Sequence, residues 1–115
     1  MKILIVEDEH AARSAMEQYL RISGFEVAAA ATPEDALATA AEFAADALVL
    51  DWELGADMNG VDVARELQHG EAPALIFITG QSLAELRRES SDLRVRAYFQ
   101  KPVSLREIAQ ILDPA

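Results

Sequence analysis

A chain of 115 residues with 51% hydrophobic side chains is long enough for one domain with its own core and carries no compositional mark of disorder. Twenty acidic residues against ten basic ones give a net charge of −10, the wrong sign for gripping a phosphate backbone, so direct nucleic-acid binding is disfavoured. The absence of cysteine excludes disulfides, a thiolate nucleophile and sulfur-ligated zinc, and with two histidines any metal would have to rest on oxygen.

Short apolar runs alternate with segments of helical period, the pattern of an α/β protein with a doubly wound parallel sheet and helices on both faces. Ile3-Leu4-Ile5-Val6 predicts a buried first strand. Ala12, Met16, Tyr19 and Leu20 then recur at helical spacing until Gly24 stops the helix. A second strand is expected from Phe25 to Ala29. Thr32-Pro33-Glu34-Asp35 opens the next helix with a cap hydroxyl, a proline at the first position and two acids at the positive end of the dipole. Its apolar face runs through Ala36, Leu37, Ala40 and Phe43. Ala47 to Leu50 is the third strand, followed by a loop at 52–60 and a helix from Val61 to about His69, closed by Gly70. The fourth strand spans Ala74 to Ile78, a helix lies within 82–93, and the fifth strand spans Ala97 to Gln100. Ser104-Leu105-Arg106-Glu107 reads as a capping box for the last helix.

No apolar run approaches the ~20 residues needed to cross a bilayer, and the amino terminus has no signal-peptide core, so a cytoplasmic protein without membrane insertion is expected. Charge is unevenly spread. Residues 1–80 hold 15 acids and 4 bases, whereas residues 81–115 hold 5 acids and 6 bases.

In an open parallel sheet the carboxyl ends of the strands share one edge, where ligands bind. Glu7 and Asp8 follow the first strand, Asp51 the third, Thr79 the fourth and Lys101 the fifth. Singly, an acid at a strand end caps the next helix; five convergent polar ends ask for more. Three carboxylates in one crevice repel one another unless a hard divalent cation sits among them, and magnesium, or manganese in its place, suits a site for phosphoryl chemistry. Lys101 would pair first with the free carboxylate and then with the oxygens of a transferred phosphoryl group, to which Thr79 also offers a hydroxyl.

Four segments carry a resemblance. Ile3-Leu4-Ile5-Val6-Glu7-Asp8-Glu9, Leu48-Val49-Leu50-Asp51, Phe77-Ile78-Thr79-Gly80 and Tyr98-Phe99-Gln100-Lys101-Pro102, in this order, resemble the receiver domains of two-component response regulators over essentially the whole chain. The resemblance implies the strand order 2-1-3-4-5. It makes Asp51 the phospho-acceptor, Asp8 a direct magnesium ligand, Glu7 an assisting ligand through a water, and Glu53 the residue that gives its backbone carbonyl to the metal while its side chain overhangs the phosphoryl group. Thr79 and Tyr98 become a switch pair: the hydroxyl turns to the phosphoryl oxygens and the ring moves inward behind it. Lys101 completes the charge clamp, and Pro102 implies a cis Lys-Pro bond.

The departures cluster in one loop. Asp51 to Gly60 is one residue longer than the usual spacing, the usual proline is missing, and Asn59-Gly60 replaces an Asp-Gly pair, so a reshaped loop is expected. Gly80 stands where alanine is more usual and would loosen the moving loop. Trp52 reads either as a recognition anchor or as a strand-end aromatic packed over a neighbouring helix. His10 and His69 lack a third ligand and read as solvated or capping residues. The arginines at 87, 88, 94, 96 and 106 read either as a solvated face or as a partner surface.

The leading expectation is a single receiver domain over 1–115 without an output domain. It would take a phosphoryl group from a sensor histidine kinase or phosphotransfer protein onto Asp51 and signal by conformational change to a downstream protein target, or through a homodimer, by way of residues 81–115. Such a domain assists its own phosphorylation and dephosphorylation but is not an enzyme in the ordinary sense. A haloacid-dehalogenase-like phosphatase also uses a strand-end aspartate, a hydroxyl, a lysine and magnesium. It wants a second aspartate where this chain has Glu53, and more length for a cap domain. A degenerate receiver that binds partners regardless of phosphate would lack the acceptor, an acid or the lysine, and this chain retains them all.

Overall fold

Four aliphatic residues in succession leave no polar face for water, and Ile3 to Val6 accordingly form the inner strand β1 (Lys2–Val6), with all four side chains buried. In the computed structural model, which describes residues 1–113, β1 is followed by α1 (His10–Ile22), β2 (Glu26–Ala30), α2 (Pro33–Phe43), β3 (Ala47–Asp51), α3 (Gly60–Leu67), β4 (Ala74–Thr79), α4 (Leu83–Glu89), β5 (Val95–Gln100) and α5 (Leu105–Leu112). All strand pairs are parallel and their order is β2-β1-β3-β4-β5, as the resemblance implies.

Alternation along the strands divides the core into two layers. Ile3, Ile5, Val49, Ile76 and Ile78 face α1 and α5, meeting Met16, Leu20, Ile108 and Leu112. Leu4, Val6, Leu48, Leu50, Leu75 and Phe77 face α2, α3 and α4, meeting Ala36, Val61, Ala64 and Leu86. Burial on both faces explains why the inner strands read as continuous apolar runs, and both residues beyond Asp113 lie outside the described part of the expected domain.

Several element ends differ from expectation, each for a local reason. Phe25 lies in the turn that closes α1 and not in β2: its N–H donates to Leu20 O and that of Gly24 to Arg21 O, with Gly24 at φ +100°, a Schellman closure. Tyr19, placed on the buried face by its spacing, is 37% exposed. α3 ends at Leu67, because the Gln68 side chain turns away to donate to Pro73 O and Arg94 O and to accept from Arg94 N; Gly70 lies in the turn beyond. β5 starts two residues before Ala97, since a register shift pairs Leu75 with Val95 and Ile76 with Ala97 and leaves Arg96 as the extra residue. At α5 the Ser104 Oγ accepts from Glu107 N, whereas the reciprocal capping box forms at α3, between Asn59 and Asp62.

Candidate functional site

The loops after β1, β3, β4 and β5 bring Glu7, Asp8, Asp51, Glu53, Thr79 and Lys101 to one edge of the sheet. Asp51 is the last residue of β3 and is buried, as is Glu7, while Asp8 faces solvent. One carboxylate oxygen from each of these three acids lies within 4.8 Å of the others. The turn that presents Glu7 and Asp8 is pinned by Arg13, whose guanidinium donates to Glu7 O at 3.0 Å and Asp8 O at 3.4 Å.

Asp51 is oriented from two sides. Its Oδ1 accepts from the Glu53 backbone N–H at 3.1 Å, and its Oδ2 pairs with Lys101 Nζ at 2.7 Å. Lys101 Nζ also stands 3.6 Å from Glu7 Oε1. Burial works against the lysine's charge, but Asp51, Glu7 and Glu53 together outweigh it and hold its pKa above the usual lysine value. Glu7 is pushed up to about 7, first by burial and then by the adjoining Asp51 carboxylate, with Lys101 compensating only partly. Three carboxylates here face a single ammonium, and their all-oxygen donors suit a hard cation.

The lengthened loop fits tightly around Asp51. A Cβ on Gly60 would fall 2.2 Å from Asp51 O, so only glycine lets α3 start this close, and Gly60 N donates to Trp52 O at 2.9 Å. Gly55, at φ +62°, places its α-carbon where a side chain would meet Asp8 Oδ2 at 3.1 Å. Trp52 is half-buried and packs against the layer under α2 and α3, which supports the packing alternative for it.

Thr79 ends β4 fully buried, its hydroxyl donating to the Glu53 carboxylate. Tyr98 is not at the crevice. Its ring stacks on Phe77 at 6.1 Å, its hydroxyl shares a 2.7 Å hydrogen bond with Ser90 Oγ, and the Arg87 guanidinium covers it at 4.7 Å. Ser90 and Arg87 were not marked by the sequence as partners of Tyr98, and no local motif distinguishes them. Gly80 needs neither positive φ nor open space, since an added Cβ would meet Glu53 Oε1 at an ordinary 3.7 Å. The Lys101–Pro102 bond is cis, as the resemblance implies, and so is Ala72–Pro73. His10 is exposed with Nδ1 against Arg13, and His69 is exposed in a turn. Neither joins the acidic group. No helix among the described residues is long and apolar enough to cross a membrane.

Residues 3–113 match the model of the response regulator receiver domain family. The response regulator MprA of Mycobacterium avium is 32% identical over 110 residues, covering 94% of this chain and 47% of that protein. The transcriptional regulatory protein SrrA of Staphylococcus aureus is 31% identical over 107 residues, 93% of this chain and 44% of its own. This chain therefore spans less than half the length of these curated relatives. Among solved structures, a CheY-like receiver domain protein from Methanospirillum hungatei superposes with a TM-score of 0.85 at 30% identity, over 96% of this chain and 89% of the other.

Proposed function

This chain belongs to the response regulator receiver domain family of two-component signalling, and from that premise we propose that it accepts a phosphoryl group on Asp51 from a phosphohistidine donor, a sensor histidine kinase or a phosphotransfer protein. The observation that carries the reading is the buried Asp51 carboxylate held between the Glu53 N–H and the Lys101 ammonium, beside two further acids.

In the transfer an Asp51 oxygen forms the new P–O bond as the donor's P–N bond breaks, and the electron pair stays on an imidazole that has taken a proton from solvent on its other ring nitrogen and so leaves neutral. The Glu53 N–H and Lys101 fix the acceptor's orientation, so little rearrangement precedes attack. Lys101 is already charged and in contact, and can follow the developing charge onto the phosphoryl oxygens. Glu7, Asp8 and Asp51, with the Glu53 backbone carbonyl, are the groups that would hold magnesium, Glu7 through a water. The bound ion supplies neutralisation of charge on the transferring oxygens. The family match disfavours the rival phosphatase reading, as does Glu53, whose carboxylate in the resting chain accepts from Thr79 and carries no proton toward Asp51 in these bonds.

We assign Thr79 and Tyr98 as the switch pair, and the surface of α4, β5 and α5 as the route by which the phosphorylated state reaches a protein target or a second copy of the chain. The residues past 80 carry the arginines that would meet an acidic partner. Incubation with magnesium and acetyl phosphate, read by intact mass, tests the reading. Wild type should gain one phosphoryl group and Asp51→Asn none, with circular dichroism unchanged. Equal labelling of the variant would overturn the assignment of Asp51.

A further inference from the structure

The transfer reaction leaves the side chain of Glu53 without a task, yet it is the most heavily bonded carboxylate at the carboxyl end of β4. The Thr79 hydroxyl donates to it, with Oε1 at 2.9 Å and Oε2 at 3.0 Å, and the Gly80 N–H donates to Oε1 at 2.9 Å. The Thr79 Oγ1 in turn accepts from Gln81 N at 2.9 Å, so the hydroxyl proton is directed at Glu53 and the first turn beyond β4 is ordered around it. Thr79 is fully buried and its O accepts from Lys101 N at 2.8 Å, so in the resting chain the hydroxyl stays against Glu53.

A phosphoryl group on Asp51 would be an anion with oxygens to satisfy, two residues before Glu53 in the chain. Besides Lys101, the Thr79 hydroxyl and the Gly80 N–H are the donors that the end of β4 presents to it, and both are already taken by an anion. From this double occupancy we infer that Glu53 is a positioning residue that stands in for the phosphoryl group: in the resting chain it holds the switch threonine toward the crevice, and phosphorylation of Asp51 displaces it. The phosphoryl half of this inference rests on the acceptor role of Asp51; the resting-state half does not.

The displaced side chain has somewhere to go. A cavity of about 230 Å³ adjoins it, lined by Trp52, Leu54, Gly55, Asn59 and Gln81 and formed by the lengthened loop. Two effects follow from the charge. A carboxylate on the Thr79 side of Asp51 repels the incoming phosphoryl oxygens and slows transfer. By bonding Thr79 beforehand it also leaves less of the switch to be moved by phosphorylation.

Two variants separate charge from hydrogen bonding. Glu53→Ala removes both, while Glu53→Gln keeps an acceptor for Thr79 and Gly80 without the charge. Amide and threonine-methyl NMR of the unphosphorylated chain should show the Gly80 N–H moving upfield and the Thr79 methyl shifting in Glu53→Ala, with Glu53→Gln close to wild type. Labelling by acetyl phosphate in magnesium should run roughly threefold to tenfold faster in both variants. Unchanged Gly80 and Thr79 resonances in Glu53→Ala, or labelling no faster in either variant, would overturn the inference. If wild type itself takes no label, the acceptor reading of Asp51 fails, and the resonances still decide whether Glu53 holds Thr79.

Discussion

The inner strands and the β5 edge of this sheet are built to different tolerances. In β1 and β3 every residue from Ile3 to Val6 and from Ala47 to Asp51 is buried, and these strands deliver Glu7, Asp8 and Asp51 to the crevice. β5 is only half-buried, carries a register shift at Arg96, and is covered by a seven-residue helix whose one buried side chain is Leu86. Its main polar tie to α4 is the shared Tyr98–Ser90 hydrogen bond, with Arg87 laid over the ring from outside. Acceptor chemistry needs side chains held to within about half an ångström, which a strand packed on both faces supplies. A surface that must change on signalling belongs on the part of the fold with fewer buried contacts, where rearrangement is cheapest.

Truncation tests that contrast most directly. Leu50→Ala opens a void in a strand buried on both faces and should destabilise by about 3–5 kcal/mol, whereas Val95→Ala on the half-buried edge should lose about 1 kcal/mol. Urea unfolding of both variants checks it. Comparable losses would mean that β5 is as tightly packed as β3 and would remove the basis for treating it as the mobile side.

The acidic crevice sets the next largest effect. Magnesium at tenfold to a hundredfold above its dissociation constant should raise unfolding stability by roughly 1–3 kcal/mol, and Asp8→Ala should lose most of that response. In chelator, the raised pKa of Glu7 has its own signature. From 4.5 to about 7 the folded chain keeps a proton on Glu7 that the unfolded chain has released, so this group's contribution to stability is fully present below 4.5 and is lost as the pH rises through about 7. Glu7→Gln should remove that decline and should be more stable than wild type at pH 8 without metal, by on the order of 1–3 kcal/mol. Thermal melts of both proteins in chelator across this pH range decide the sign. A wild-type curve that rises relative to the Gln variant between pH 4.5 and 7 would contradict the account of Glu7.

How far the sequence could be read follows the same division. Ile3 to Val6 and Ala47 to Leu50 admit only a buried strand, and once they are strands the topology sends Asp8, Asp51, Thr79 and Lys101 to one edge. The edge resisted reading because Arg96 interrupts the apolar run where the register shifts, which hid the first two residues of β5. The end of α3 was obscured by Gln68, whose side-chain bonds to Pro73 and, across 26 residues, to Arg94 override the stop that Gly70 offered. Asn59 and Asp62 form a capping box with an aspartate in the place where glutamate is the commoner signal, and with its cap residue inside the stretch read as loop. At the site, the overhang of Glu53 was expected but its bonds to Thr79 and Gly80 were not, since a contact across 26 residues depends on the loop's path. Ser90 gave no signal because a serine at a helix end is common, and its value lies in Tyr98 reaching it.

The smallest expected effect is on the surface of the β5 side. Residues 81–115 are nearly balanced in charge while the rest of the chain is strongly acidic, so on the proposed reading an acidic partner or the acidic body of a second copy would be drawn toward Arg87 and Arg96. Exposed charges of this kind contribute a few tenths of a kcal/mol to 1 kcal/mol each, so Arg87→Glu and Arg96→Glu should weaken association of the phosphorylated chain about twofold to fivefold at low salt. The difference should vanish near ~0.5 M salt, where screening reaches within a few ångströms. The pair also separates two roles of arginine. Arg87 covers the Tyr98 ring and Arg96, in the bulge, does not, so a loss confined to Arg87→Glu would trace to the ring's placement, while equal losses would trace to charge. Sedimentation velocity with and without phosphate on Asp51 reads both. Association that is identical in the two phosphorylation states, and indifferent to both substitutions, would show that the signal leaves the molecule by a surface other than the β5 edge.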